Sequence, residues 1–440
     1  MRQFGRFACQ ASYFNYLQII TTRIGESLKM KKQFNLLSAA IVAVLASTPA
    51  QAIQFDGFMT AGATKIVDID DADKGNIYIG GLGDRGITED LTFEKDTRFG
   101  LQISSDVSDN MSVVAQLLGR GDQGNFNAVV EWAYIDYEFH ETTSMHVGKI
   151  KQPVYLVNDY VEVGYAYPWI RPPQEVYLLN NPLNTVNGIE LLLQFPVGQG
   201  TLSFQPYLGS NRDDIPNAQG AYFEAENIYG MDIKYSGRGY AVHASNFQCD
   251  VKTYGGFTTD ANNPFGQPLD VDLNGTGACN VTAAGFNLDL ANVVVYAEWT
   301  QRTTDETLSR AFGDTEAYYT TVGYRIGKWL PHITFGSIEG EASVVQPGAI
   351  TGSNTTLPVP GGSLNFPVPI QTSITAGLRY EVNDSAALKV EYQVVDVEQD
   401  PSELAAANQG FNYGLFNTNF SQSPPQNDVG IMSVALDVIF

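Results

Sequence analysis

The stretch VGIMSVALDVIF, residues 429–440, decides the fold. Met432, Val434, Leu436, Val438 and Phe440 fall on one side of it, and Ser433, Ala435 and Asp437 on the other. A period of two is the mark of a strand, because successive side chains point to opposite faces of the pleat. One face is built for an apolar medium and the other for polar surroundings.

The same alternation recurs upstream. Phe99, Leu101 and Ile103 alternate with Arg98, Gly100, Gln102 and Ser104. Ile374, Ala376, Leu378 and Tyr380 alternate with Thr375, Gly377, Arg379 and Glu381, and Lys389, Glu391 and Gln393 with Leu388, Val390, Tyr392 and Val394. From residue 53 onward no amphipathic helix is recognisable. The candidate strands are 56–67, 97–107, 111–121, 127–139, 144–152, 187–196, 200–209, 225–236, 239–250, 279–290, 292–302, 315–327, 330–341, 371–382, 385–398 and 429–440. That makes sixteen, and single-chain bacterial membrane barrels carry an even number of roughly ten-residue strands.

The connections give an independent test. Those after each even-numbered strand are short, such as 108–110, 141–143, 237–238 and 383–384. The others are mostly long: 68–96, 153–186, 210–224, 251–278, 303–314, 342–370 and 399–428, with only 122–126 brief. Short turns on one side and long loops on the other are the pattern of an outer-membrane barrel. A soluble β-sandwich would not alternate so regularly. The expected fold class is all-β, a transmembrane antiparallel β-barrel of sixteen strands, wide enough for an aqueous channel and polar inside.

Composition agrees. Only 17% of the 440 residues are charged, against about 25% in soluble domains, while Gly, Tyr and Phe number 42, 23 and 24. Such a mixture suits strands, turns and aromatic girdles. One N-terminal segment, Met30 to Ala52, has the plan of a cleaved signal peptide: Lys31 and Lys32, an apolar stretch from Phe34 to Ala46, and the small pair Ala50 and Ala52. Met30 is then the expected start, residues 1–29 an unstructured extension, and 53–440 the barrel. Residues 1–52 hold six Lys or Arg and one Glu, which leaves 19 basic and 47 acidic residues in 53–440, a net −28. That balance excludes nucleic-acid binding and fits cation attraction into a pore, or a surface bridged by divalent cations. Of three cysteines, Cys9 precedes the cleavage site, leaving Cys249 and Cys279 as a candidate disulfide. They flank the fifth long loop on adjacent strands, closing a loop of about thirty residues and contributing about 3–4 kcal/mol in the chain-entropy model.

With these residues in view, the chain resembles the general porins of Gram-negative bacteria, sixteen-stranded trimeric diffusion channels. The terminal strand with Phe440 resembles the assembly signal of outer-membrane proteins. The sharpest likeness is Val147-Gly-Lys-Ile-Lys-Gln-Pro153 followed by a long connection, which resembles the strand before the third external loop of porins. The resemblance implies that this loop folds into the barrel, that Lys149 supplies a constriction cation, and that the assembly is a homotrimer in lipid and lipopolysaccharide. The second loop, 122–126, is too short to latch onto a neighbour as in enteric members.

The third loop, PVYLVNDYVEVGYAYPWIRPPQEVYLLNNPLNTV at 153–186, is rich in Tyr, Val, Leu and Pro, a composition for packing inside something. Asp159, Glu162, Arg171 and Glu175 are its expected pore-facing groups. Arg98, Arg120, Lys149, Lys151, Arg325 and Arg379 are the expected wall cations, setting a transverse field that orients small hydrophilic solutes. His243 and Ser245 have the spacing of a lipase-like dyad, but Val242 and Ala244 take the lipid parity and send them to the lumen. The acidic run from Asp68 to Asp73 lacks the spacing of an EF-hand. No Gly-rich phosphate loop, CxxC pair or His cluster calls for a cofactor, a metal or catalysis. The expected function is passive diffusion, with a substrate-selective channel for a sugar, dicarboxylate or anion as the alternative and a phospholipase-like enzyme as a remote one.

Overall fold

A computed structural model describes residues 53–440 except 71–77, 80–86, 122–125, 127, 179–182, 215–221, 259–268, 273, 306–313, 342–343, 346–349, 353–363, 366–369, 398–415 and 418–427. The extension and signal peptide expected over 1–52, and the second half of the acidic run at 68–73, lie outside the described residues. Among the described residues no helix is long and apolar enough to cross a membrane.

Sixteen antiparallel strands close on themselves: β1 (Gln54–Asp68), β2 (Arg98–Ser108), β3 (Met111–Arg120), β4 (Ala128–His140), β5 (Thr143–Lys151), β6 (Thr185–Val197), β7 (Gly200–Asp214) and β8 (Tyr222–Gly237) form one run. It continues through β9 (Tyr240–Tyr254), β10 (Gly275–Leu290), β11 (Val293–Thr304), β12 (Asp314–Tyr324), β13 (Trp329–Glu341), β14 (Gln371–Asn383), β15 (Ala386–Val397) and β16 (Val429–Ile439), which returns to pair with β1. All sixteen expected strands are present, in order. Closure is obligatory, since hydrocarbon offers no partner to an edge strand's backbone. The closing register runs from Phe58 opposite Ile439 to Asp68 opposite Gly430.

The outward positions are apolar and exposed, as at Met432, Val434 and Leu436, while Ser433, Ala435 and Asp437 are buried inward. Tight turns join the strands on the side of both barrel ends. Gly198 and Gly239 occupy the left-handed region there, at φ 63° and 79°, a conformation that glycine adopts without steric penalty.

Two features depart from expectation. Strands β7 to β10 run to 15 or 16 residues, beyond the 9–11 or so that a bilayer requires. In these extensions the inward positions remain buried, as at Ala225 and Val251, while the outward ones turn polar, so the outer apolar stripe ends while backbone pairing continues. Polar cross-strand contacts carry it: Arg212 with Glu224 at 3.3 Å, the Arg212 guanidinium 4.0 Å over the Tyr222 ring, and Lys252 with Glu226 at 2.6 Å. Cys249 and Cys279 therefore lie within paired strands rather than at loop ends. They are directly opposed, disulfide-bonded, and buried on the lumen side among Phe247, Val251 and Val281.

The second departure concerns the interior. It is not water-filled throughout: inward residues of β6 to β13 form an apolar cluster with the third external loop. That loop folds inward, as expected.

Phe440 fastens the seam. Its N–H donates to the Gly57 carbonyl at 2.9 Å and its carbonyl accepts from the Gly57 N–H at 2.7 Å. Its ring occupies the space that a side chain at position 57 would fill and lies 6.4 Å from the Phe99 ring. Deleting Phe440 is expected to cut the yield of folded barrel several-fold, while the molecules that fold conduct normally. Outer-membrane yield and single-channel recordings of the truncated chain check this; an equal yield would contradict it.

Candidate functional site: the inward loop and the lane beside it

Polypeptide entering a barrel as irregular loop brings unpaired carbonyls and N–H groups with it, and these need partners. The wall supplies them. Loop residues 152–184 contain two 3-10 turns, Asn158–Tyr160 and Gly164–Ala166, and one short helix, α1 (Gln174–Tyr177). The prolines at 168, 172 and 173 keep the connecting segments extended.

Cations of the wall bind the loop backbone. Lys389 on β15 donates to the carbonyls of Gly164 and Trp169, each at 2.6 Å, and pairs with Asp437 on β16 at 2.8 Å. Arg379 on β14 donates to the carbonyls of Tyr165 and Tyr167, each at 2.7 Å. Arg98 on β2 donates to the Tyr167 hydroxyl at 2.7 Å and the Ile170 carbonyl at 3.2 Å. Carboxylates take the loop's N–H groups: Glu298 on β11 accepts from Leu156 at 2.7 Å and Glu391 on β15 from Ile170 at 2.8 Å. Hydrogen bonds to charged groups contribute about 1.5–3 kcal/mol each. Trp169 packs within a set of aromatic rings, with Tyr296 at 4.8 Å and Tyr167 and Tyr319 at 5.6 Å. Its indole N–H is shared between Thr321 and Thr334.

This arrangement reassigns most of the site residues expected from sequence. Glu162 is buried and faces Arg120 at 3.2 Å and Arg98 at 3.7 Å. Burial raises its carboxyl, but Arg120, Arg98 and Lys151 together overcome this and hold it below the ordinary carboxylate range. Arg171 is clamped to Asp96 at 2.6 Å and to Ser433 at 2.7 Å. Glu175 is wholly buried, accepting from Gln371 at 2.8 Å and filling the space left by Gly336. Arg98, Arg120 and Arg379 are on the inner wall but hold the loop instead of lining an opening.

Lys149 and Lys151 are out of phase with the inward-facing Ile150 and Gln152. Lys149 donates to the Val130 carbonyl and Lys151 to Glu131, both on β4. A strand of nine residues ending at a sharp loop entry gave no parity clue at that end. Arg325 follows β12 in a turn on the side of Phe440 and pairs with Asp289. His243 is locked between Asp232 at 3.0 Å and Glu298 at 3.1 Å, and Ser245 donates to the Val154 carbonyl at 2.6 Å. Ser245 therefore fastens the loop directly, and His243 holds Glu298, which accepts from the loop N–H of Leu156.

Of the expected loop groups, Asp159 alone is exposed, at 51%, and it faces Lys234 on β8 at 3.6 Å. Beside it, residues that the sequence reading missed form one row across three strands. Asp136 on β4 opposes His146 on β5, and His146 opposes Glu190 on β6. The imidazole lies 2.8 Å from Glu190 and 3.6 Å from Asp136, with the Tyr134 ring stacked at 4.5 Å. Inward parity within 127–139 and 144–152 was the only signal for them. The loop thus packs against inward residues from β6 around to β16 and on to β3, while Asp136 and Asp159 keep 34% and 51% of their side chains accessible beside the buried Glu190.

No protein-family model matches this sequence, and no curated protein is similar to it in sequence. Solved structures do match its fold. Outer-membrane expressed OmpT of Vibrio cholerae is similar with a TM-score of 0.52 at 10% identity, over 89% of this chain and 99% of that one. The trimer form of in-vitro folded OmpT from the same organism gives 0.51 at 11%, over 89% and 100%. An anion-selective porin from Comamonas acidovorans gives 0.50 at 12%, also over 89% and 100%. On fold, the chain is a closed sixteen-stranded antiparallel β-barrel like those of these outer-membrane proteins.

Lys389→Met is expected to lower stability by about 3–5 kcal/mol, because it strands the Asp437 charge and two loop carbonyls. Lys389→Met combined with Asp437→Leu should recover most of that loss, measured by urea unfolding in lipid vesicles. The Glu162 clasp adds a pH dependence. A carboxyl held below its ordinary 4.5 stabilises the fold fully above that value and loses its contribution as pH falls through the lower folded value. Channel noise and mean conductance should therefore rise on acidification toward pH 3, and Glu162→Gln should show the acid behaviour already at pH 7.

Proposed function

We propose that this protein is a narrow passive channel of the outer membrane, admitting small hydrophilic solutes and preferring cations. The observation that carries this reading is the lane itself. A closed barrel holds a densely fastened loop and leaves the carboxylates of Asp136 and Asp159 accessible, beside His146, Lys234 and the buried Glu190. Rings of like charge at a narrow passage tune ion preference, and the net −28 of residues 53–440 enriches cations at its mouths.

The extent of loop packing favours a second reading, a substrate-selective channel. Excluded volume on one side of the lumen restricts size, and the Tyr134, Asp136 and His146 surface offers directed hydrogen bonds. The anion-selective solved structure shares only the fold, and the acidic lane argues against anions here. Catalysis is no part of the proposal: the Ser245 hydroxyl donates to a carbonyl rather than to His243, so nothing activates it as a nucleophile. Lipid and lipopolysaccharide would surround the barrel. A homotrimer is the proposed assembly.

Planar-bilayer recordings in a salt gradient test the reading. The wild type should give a reversal potential of the cation-selective sign, and Asp159→Asn should reduce it by a third or more. An anion-selective sign, or no conductance from folded protein, would overturn the proposal.

A further inference from the structure

Most ionisable groups inside the barrel are committed to holding the loop. The row Asp136, His146, Glu190 is different. Its members are direct neighbours across β4, β5 and β6, and Asp136 keeps 34% of its side chain accessible. Asp159, 51% accessible, approaches from the loop, and Lys234 closes the ring from β8. With a neutral imidazole, the three carboxylates and Lys234 sum to −2. With an imidazolium the sum is −1. Imidazole is the side chain whose ordinary titration falls between pH 5 and 8, so this ring halves its charge inside the range that an outer membrane meets.

We propose that His146 is the selectivity-determining residue of the lane, and that its protonation weakens the channel's preference for cations. This deepens the function proposed above and rests on it. The geometry gives the imidazole one hydrogen-bonded carboxylate, Glu190 at 2.8 Å, and a second carboxylate within ion-pair reach, Asp136 at 3.6 Å. The groups facing it are Tyr134 and Asp136 from β4, Glu190 from β6 and Asp159 from the loop. Lys234 faces Asp159 from β8, and Gln205 on β7 donates to Glu190 at 3.4 Å. Asp232, also on β8, is occupied by His243. His146 is therefore the group of the ring whose ordinary titration lies nearest neutrality. A permeating cation competes with the imidazole's proton for the same carboxylates.

The test is reversal potential in a potassium chloride gradient, stepped from pH 8.5 to pH 5. In the wild type the permeability ratio of potassium to chloride should fall about two- to threefold. His146→Gln should hold the high-pH ratio throughout, and His146→Lys the low-pH ratio. Melting curves of the folded barrels confirm that all three are compared as intact proteins. A conducting wild type with a pH-independent ratio, or a His146→Gln channel that titrates like the wild type, would overturn this inference and leave the channel reading standing. Loss of conductance in the folded wild type would overturn both.

Discussion

A chain that crosses hydrocarbon as strands can leave no backbone N–H or carbonyl at an open edge. The seam between β1 and β16 therefore governs everything else in the structure. It is made at the terminal residue, where Phe440 exchanges two backbone hydrogen bonds with Gly57. It also carries a fully buried charge of the interior. Asp437 accepts from Thr60 across the seam at 2.6 Å and pairs with Lys389 on the neighbouring strand. Barrel closure and loop anchoring thus share residues: Asp437 lies 2.8 Å from the same Lys389 ammonium that donates to two loop carbonyls.

The inner loop follows the same economy of partners. Irregular backbone at membrane depth is tolerated where protein encloses it. Here Lys389, Arg379 and Arg98 bind its carbonyls, Glu298 and Glu391 its amides, and an aromatic layer around Trp169 excludes water. The charges that sequence patterning assigns to a pore therefore fall into two groups. One is consumed in attachment. The other, Asp136 on β4 and Asp159 on the loop, stays accessible.

Much of this was legible in the sequence because lipid imposes a rule on alternate positions. All sixteen strands obey it, and even the lumen placement of His243 and Ser245 follows from Val242 and Ala244. The rule fails where lipid ends, so the last few residues at the upper ends of β7 to β10 could not be read. It is also blind on the inner face, where Lys389 and Glu391 alternate in the same way whether they meet water or a loop. A clue did exist there: Phe247, Val251, Val281 and Ala283 are apolar at inward positions, which a solvated wall would not favour. The row Asp136, His146, Glu190 was illegible for another reason. Its members are 10 and 44 residues apart in sequence and meet only once the register of three strands is fixed.

The loop lies before the chain's midpoint, yet its partners come late. Trp169 bonds Thr334, Ile170 bonds Glu391 and Arg171 bonds Ser433, separations of 165, 221 and 262 residues. Contacts so distant form only after the intervening chain has been organised, and those on β16 arise with closure itself. Newly sealed barrels must therefore pass through a stage at which the hole is at its widest. For a cell, the interval between sealing and docking is a leak whose length is set by how fast one loop finds the acceptors and donors waiting on the finished wall.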